Sequence, residues 1–475
     1  MHWIDYLIFA VYLIFMLGIG FYFMRKNNSA DDYFVGGRKM GSFHIGLSVV
    51  ATDVGGGFSI GLGGLGFVMG LSGTWLLFTG LIGAWLSAVL LIPKVSELAK
   101  IHNFLSFPQF LKQLYNWKVA LIAGIISAIG YLGFTSSQIL AGAKLASATF
   151  PNISLETALI LMGIIAVVYT SVGGIKAVIY TDTFQWILLM GGLIFVGIPV
   201  CYFGIGGYDT LKETLPASFF SLSAVSWQQI VNWFITIVPI WFIGMTLYQR
   251  IYAAGDKKTA QRAWFIAGLF EYPVMAFTGV ILGLFAKVAF ENGIIHAGAN
   301  EILDPEMGLP ILLRTILPVG LTGIVLSAYF SAIMSTADSC LMAASGNIIT
   351  DLLNRHNSAK IMSLSQITTL AIGTVALFIA WKVPNVLELM LHSYSFMVSG
   401  LFIPVLVAIF IKNRSTKGAF WSMITGGGIT LALIISQIEL PFGLDANIYG
   451  IAFATCVYLF FHLFDKRDAI PQVSR

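Results

Sequence analysis

Apolar residues occur along this chain in long uninterrupted blocks rather than in stripes. Leu7 to Phe23, Trp75 to Ile92, Trp186 to Tyr202 and Phe396 to Ile411 are examples, each near the ~20 residues that carry a helix across a bilayer. Hydrocarbon offers no partner for backbone N–H and C=O groups, so a spanning segment must be a helix or part of a closed barrel. A barrel would alternate apolar and polar positions, and no such pattern is visible. The blocks predict thirteen spanning helices, at 6–25, 43–70, 73–93, 117–147, 155–172, 178–204, 226–252, 262–289, 308–348, 362–381, 385–411, 418–437 and 446–465. The expected fold class is therefore an all-α polytopic membrane protein.

Two spans carry sequences that interrupt a helix. The second contains Ala51-Thr52-Asp53-Val54-Gly55-Gly56-Gly57, a glycine triplet beside a carboxylate at mid-membrane. Unwound backbone is tolerated at that depth only where it faces protein or a water-filled cavity, which is where transporters present carbonyls to ions and substrate. Glycines for close helix packing are the simpler alternative. The seventh span carries Pro239 and Gly244, and the proline removes a backbone donor. Breaks five spans apart are what an inverted repeat of five plus five helices would produce, spans two to six against spans seven to eleven.

An ionisable group at mid-membrane costs ~2.5–3.5 kcal/mol even on a lenient scale, so each needs a reason. The candidates are Asp53, Asp182, Glu271, Asp338 and His392. Asp182 and Asp338 sit among hydroxyls, in Tyr180-Thr181-Asp182-Thr183 and in Ser331-Ala332-Ile333-Met334-Ser335-Thr336-Ala337-Asp338-Ser339. Residues 332, 335, 336 and 339 recur at spacings of three and four and share one helix face. Such hydroxyls suit a hard cation such as Na⁺, although serine and threonine also bond back to their own helix. Glu271 and His392 read as polar helix contacts.

Charge adds orientation. With the N-terminus outside, the odd-numbered connections hold 21 of the 26 Lys and Arg, Arg250 among them, while the opposite connections are nearly free of them. The positive-inside rule then places the C-terminus in the cytoplasm. The net charge of +4 reflects topology rather than nucleic-acid binding. Only 10% of residues are charged and 57% are apolar, which excludes a soluble globular protein. The N-terminus lacks a basic leader, so the first helix is expected to remain uncleaved. Cys201, Cys340 and Cys456 all lie in apolar runs and read as packing residues. Gly57-Phe58-Ser59-Ile60-Gly61 and Gly61-Leu62-Gly63-Gly64-Leu65-Gly66 match enzyme motifs that work only at a strand-turn-helix junction, so here they read as accidents.

Four segments in order carry a resemblance: Asp31-Asp32-Tyr33-Phe34-Val35-Gly36-Gly37-Arg38; Thr170-Ser171-Val172-Gly173-Gly174-Ile175-Lys176-Ala177 running into Thr181-Asp182-Thr183-Phe184-Gln185; Ala332 to Ser339; and Tyr248-Gln249-Arg250-Ile251-Tyr252-Ala253-Ala254. Over nearly its whole length the chain resembles the sodium:solute symporter family, which includes bacterial proline, sialic acid, pantothenate and sugar symporters. The resemblance implies a LeuT-like fold: a leading helix and cytoplasmic loop over 1–42, a first five-helix repeat over 43–206, its inverted counterpart over 224–413, and two trailing helices with a short tail over 414–475.

It further implies a main sodium site made by the carbonyls of Ala51, Val54 and Ala332 with the hydroxyls of Ser335 and Thr336. A second sodium site, present in some members, would use Asp182, Ser335, Asp338 and Ser339. Asp53 matches a residue that supports sodium coupling in the proline branch. Substrate would lie beside the glycine break, lined by Thr52, Gly55, Gly56, Phe58, Phe134, Gln138, Trp241, Met245 and Tyr394. No cluster of carboxylates and amides is present to hold many hydroxyls, so the expected solute is a small amino acid or related metabolite. The expected activity is sodium-coupled uptake by alternating access in the plasma membrane, with Na⁺ as coupling ion, no organic cofactor, and an oligomeric state left open. Proton coupling through the buried carboxylates is one rival, and a transport-like sensor or channel another.

Overall fold

The computed structural model describes residues 2–464 apart from 25–30, 32–34, 54, 171–174, 297–302 and 353–360. Each of the thirteen predicted stretches contains helix among its described residues, while eight helices are by themselves long and apolar enough to cross a membrane, or nine when one bent pair counts as a single span. The leading helix is α1 (Trp3–Met24). The second span is split into α2 (Ser42–Asp53) and α3 (Gly55–Met69), and the third is α4 (Trp75–Leu90). Next come α5 (Trp117–Thr149), α6 (Leu155–Thr170) and α7 (Ile175–Gly192), the last continuing through a widened turn into Ile198–Gly204. The seventh span is the bent pair α8 (Trp227–Ile243) and α9 (Met245–Ala253).

The eighth span is α10 (Lys257–Phe270) and α11 (Phe277–Glu291), joined by a second widened turn, Glu271–Ala276. The stretch predicted as one ninth span is two helices, α12 (Pro305–Ile316) and α13 (Leu321–Gly346). They part at Gly320, whose φ of +87° is a conformation glycine adopts without penalty. The Asp5 carboxylate of α1 reaches across to accept the N–H groups of Gly320 (2.7 Å) and Gly323 (3.0 Å), satisfying donors that open α13. The chain ends with α14 (Ile361–Lys382), α15 (Val386–Phe410), α16 (Thr416–Ser436) and α17 (Ala446–Phe464).

Local chemistry accounts for several helix starts. Asn116, Ser226, Asp256 and Ser415 each accept a backbone N–H from the first turn of α5, α8, α10 and α16, as N-caps do. Glycine accounts for the tightest crossing. A Cβ on Gly66 of α3 would overlap the Val280 carbonyl of α11, and one on Gly283 would overlap the Gly63 carbonyl. The packing role weighed for the glycine-rich second span is thus real at Gly63 and Gly66, and it holds at Gly55 and Gly57 as well, where a Cβ would meet Thr336 and Gln138, while Gly55 also supplies the left-handed backbone of the break.

Candidate ion and solute site

The described part of α2 ends at Asp53, and Gly55, which begins the described part of α3, has a left-handed φ of +47° that departs from the helix and marks the first break. The Gly55 Cα faces α13 so closely that a Cβ would collide with Thr336 Oγ1. Thr336 donates its hydroxyl to the Ala51 carbonyl at 2.9 Å and lies 3.2 Å from the Ala332 carbonyl, while Ser335 donates to Ala332 O at 3.1 Å. Ala51, Ala332, Ser335 and Thr336 are all buried. Four of the five groups expected to hold Na⁺ are therefore gathered between α2 and α13; the fifth, Val54, lies outside the described residues. Ser59 donates back to the Gly55 carbonyl at 2.9 Å, which satisfies an acceptor near the break.

The second break is at Gly244, where α8 and α9 meet at 42°. Pro239 stays inside α8, so glycine rather than proline makes this bend. Tyr248 donates to the Phe242 carbonyl (2.9 Å), and Tyr131 of α5 accepts the Thr246 N–H (3.1 Å). Backbone groups released by the break are thus taken up by tyrosine hydroxyls.

Asp182 and Arg250 form the centre of a dry polar network. The Arg250 side chain, expected in a cytoplasmic connection, is fully buried in the last turns of α9. Its Nη2 donates to Thr52 Oγ1 (2.7 Å), Ser339 Oγ (2.9 Å) and Asp182 Oδ2 (3.3 Å), and its Nε to Ser48 Oγ (3.2 Å). Ser48 in turn donates to Asp182 Oδ2 at 2.5 Å. Arg250 ties α2, α7, α9 and α13 together, which is the correction to its placement in a loop: a buried carboxylate demands a buried cation. Sequence position near a span end concealed it; the polar run Tyr248-Gln249-Arg250 facing an intramembrane aspartate was the available signal.

The residues expected at a second sodium site are close to one another but face this guanidinium. Asp182 and Ser339 are bonded to Arg250, Ser335 lies within reach of Asp182, and Asp338 is paired with Thr170. Asp53 turns the other way, accepting the Tyr394 hydroxyl at 3.1 Å, and so links the end of α2 to α15.

The solute-lining set divides. Phe134 stacks on Tyr394 (4.9 Å, 12°), Phe58 lies 6.3 Å from the same ring, and Gln138 accepts the Gly57 N–H at 3.1 Å. These residues form an aromatic and amide layer beside the break, where Gly55 and Gly56 open α3. Trp241 is buried against Gly83. Thr52 belongs instead to the Arg250 network, and the Met245 thioether accepts the Phe107 N–H at 3.1 Å, so neither side chain joins that layer.

Above the layer a vestibule of about 480 Å³ opens between α3, α8, α12, α15 and α17, with Gly61, Leu387, Leu391 and Ser395 among its lining residues. Gly61 is one turn from Phe58, and Ser395 adjoins Tyr394. His392, Glu388 and Asp445 also line it, which gives His392 a place at water rather than in a helix contact. Burial raises the Asp445 carboxyl above its ordinary value, with His392 opposing the shift. At one edge Glu306 accepts from Lys144 (2.6 Å) and from the Val386 and Leu387 N–H groups (2.9 and 3.0 Å). Lys144, buried in α5, was a further intramembrane charge concealed in its sequence by small apolar neighbours.

Known proteins supply an independent measure. The family model described as "Sodium:solute symporter family" matches residues 33–426. The high-affinity proline transporter PutP of Bacillus subtilis is 30% identical over 88% of this chain and 89% of its own length. A sodium/proline symporter of Staphylococcus aureus is 26% identical over 100% of this chain and 95% of its own. Among solved structures, a Na⁺-coupled sialic acid symporter in a substrate-bound outward-open state superposes with a TM-score of 0.77, at 22% identity over 97% and 98% of the two chains. Mhp1, a nucleobase-cation-symport-1 family transporter in a closed conformation, superposes at 0.59, with 14% identity over 92% and 94%.

Proposed function

The chain belongs to the sodium:solute symporter family, and from that premise we propose that it takes up proline, with one Na⁺ held between α2 and α13 as the driving ion. Sodium-coupled symport of a small organic solute across a bilayer follows from the family. Proline, the ion's ligands and the orientation are our own reading. The observation that carries it is the buried convergence of two carbonyls, Ala51 and Ala332, with two hydroxyls, Ser335 and Thr336, at a helix break. Those are oxygen donors of the kind a hard monovalent cation takes. The proline assignment draws on the two bacterial relatives and on a compact aromatic layer suited to a small ring.

Na⁺ entering this cluster replaces the Thr336 to Ala51 hydrogen bond with ligation from both residues and so clamps α2 to α13. The clamp holds the first break in the shape that lines the solute cavity, so ion and solute favour one another reciprocally. The 5+5 division into 43–206 and 224–413 provides the halves that move about this point. The vestibule leads from the face where α1 begins, taken as the outside, toward Phe58 and Tyr394. Arg250, Asp182, Ser48 and Ser339 close the opposite side. Each Na⁺ gains about 2.3 kcal/mol per 100 mV and about 1.4 kcal/mol per tenfold gradient, enough for a solute gradient of a few hundredfold. Arg250 already supplies a cation to Asp182, which supports one Na⁺ per cycle rather than two.

Uptake of radiolabelled proline into proteoliposomes tests this directly. A Na⁺ gradient should drive accumulation and a proton gradient alone should not. Accumulation driven by protons without Na⁺ refutes the ion assignment, and Na⁺-driven uptake of another solute with no response to proline refutes the solute.

A further inference from the structure

Three connections between spans meet around a pocket of about 200 Å³ that shares no lining residue with the vestibule. Arg38 follows α1; Ser96, Lys100 and Asn103 lie in or just after the helix Ile92–His102 that follows α4; Asp256 and Lys257 join α9 to α10. These are connections that the positive-inside rule assigns to the cytoplasmic face. The Met40 N–H donates to the Ala253 carbonyl at 3.0 Å and ties the first of them to the third.

The chemistry of the lining favours a negative group. Ser96 is 7% exposed, and its hydroxyl has no hydrogen-bond partner among the described residues, although a helical serine can bond back to its own preceding turn. A buried polar group left alone calls for a specific explanation. Arg38 donates Nε and Nη2 to Asp31 (2.9 and 2.8 Å) and Nη2 to the Phe104 carbonyl (2.9 Å), so its guanidinium is held in place at the pocket. Lys100 and Lys257 are exposed and form no ion pair among the described residues. Asp256, the one carboxylate in the lining, accepts the Thr259 N–H at 2.8 Å as the N-cap of α10. The positive dipole end of α10 therefore also borders the pocket.

We propose that this pocket binds a phosphate group, with the Ser96 hydroxyl and the Arg38 guanidinium as donors and Lys100 and Lys257 as counter-charges. Sites for drug-sized ligands occupy roughly 300–1,000 Å³, and this smaller one fits a single tetrahedral oxyanion. A fixed guanidinium beside a helix N-terminus suits phosphate oxygens in both charge and geometry. Two sources carry that chemistry to this face: the headgroup of an anionic phospholipid, which lysines near the bilayer surface attract, and free phosphate. Either one cross-links the connection after α1, the helix Ile92–His102 and the junction of α9 with α10, just beyond buried Arg250.

Thermal melting of the purified full chain in phosphatidylcholine nanodiscs, at constant ionic strength, tests the site. Inorganic phosphate against a chloride control, or replacement of part of the lipid by phosphatidylglycerol, should raise the melting temperature of wild type. Lys100→Gln/Lys257→Gln should weaken that response by roughly tenfold or more in midpoint concentration, and Ser96→Ala should weaken it several-fold. Both variants should melt cooperatively and near wild type without either probe, which shows that they are folded. A response to phosphatidylglycerol alone supports the site with lipid as its source, and a response to inorganic phosphate supports it with a soluble ion. No response of wild type to either probe overturns the proposal, and so does a response equal in wild type and both variants. A response lost in the lysine variant but unchanged in Ser96→Ala reports surface charge alone and overturns the built site.

Discussion

Replacing Thr336 by valine tests the ion site with little change in shape. Among the described residues of the buried cluster, the threonine hydroxyl is the group that touches both the Ala51 carbonyl of α2 and the Ala332 carbonyl of α13. Valine keeps the branched side chain and removes one of the four gathered oxygens. A hydrogen bond or dipole contact to a charged group contributes roughly 1.5–3 kcal/mol. Losing one should weaken Na⁺ binding by roughly 10- to 150-fold. Proline uptake measured against Na⁺ concentration should show the half-saturating Na⁺ rising by that factor. Proline affinity should fall at low Na⁺ and recover at saturating Na⁺, because coupling is reciprocal. Thr336→Ser, which keeps the hydroxyl, should remain close to wild type. A Thr336→Val protein that transports with a half-saturating Na⁺ within twofold of wild type would show that Thr336 is a helix contact and not a ligand.

Other substitutions probe the surrounding structure. Arg250→Ala leaves the fully buried Asp182 uncompensated and should cost about 3–5 kcal/mol, read as a large drop in the melting temperature of the detergent-solubilised protein, with partial recovery in the Arg250→Ala/Asp182→Asn double variant. Gly55→Ala forces a side chain into left-handed backbone at φ +47°, worth about 1–2 kcal/mol, and pushes against Thr336; half-saturating Na⁺ should rise together with a loss of stability, and a variant with wild-type Na⁺ dependence contradicts the geometry. Burial raises the Asp445 carboxyl in the folded protein, so its contribution is present below the unfolded carboxylate value and lost as pH rises. Asp445→Asn should therefore melt progressively higher than wild type as pH increases from acid to neutral, and a gap that narrows instead refutes the assignment.

Much of this molecule was legible one segment at a time. Hydrocarbon imposes internally bonded backbone on any chain that crosses it, so uninterrupted apolar blocks predicted the helices, and the Asp53 to Gly57 run predicted where one would fail. Ser335 and Thr336 share a face because helix periodicity alone places them there, and the family motifs added which carbonyls they would meet. The same local logic failed at 308–348, where a glycine in left-handed backbone divides one apolar stretch into α12 and α13.

Pairings between distant segments were decided only by the packed bundle. Arg250 reads as a positively charged span end until Asp182, Ser48 and Ser339, contributed by three other helices, surround it. Thr52 adjoins the glycine break in sequence, yet its hydroxyl serves Arg250 and not the aromatic layer. Glu271 and Trp241 both pack on α4 because it presents Gly80 to one and Gly83 to the other. Desolvation decides each case: a side chain's charge and partners matter most where water is excluded, and which groups lose water together depends on how helices pack rather than on the order of residues along any one of them.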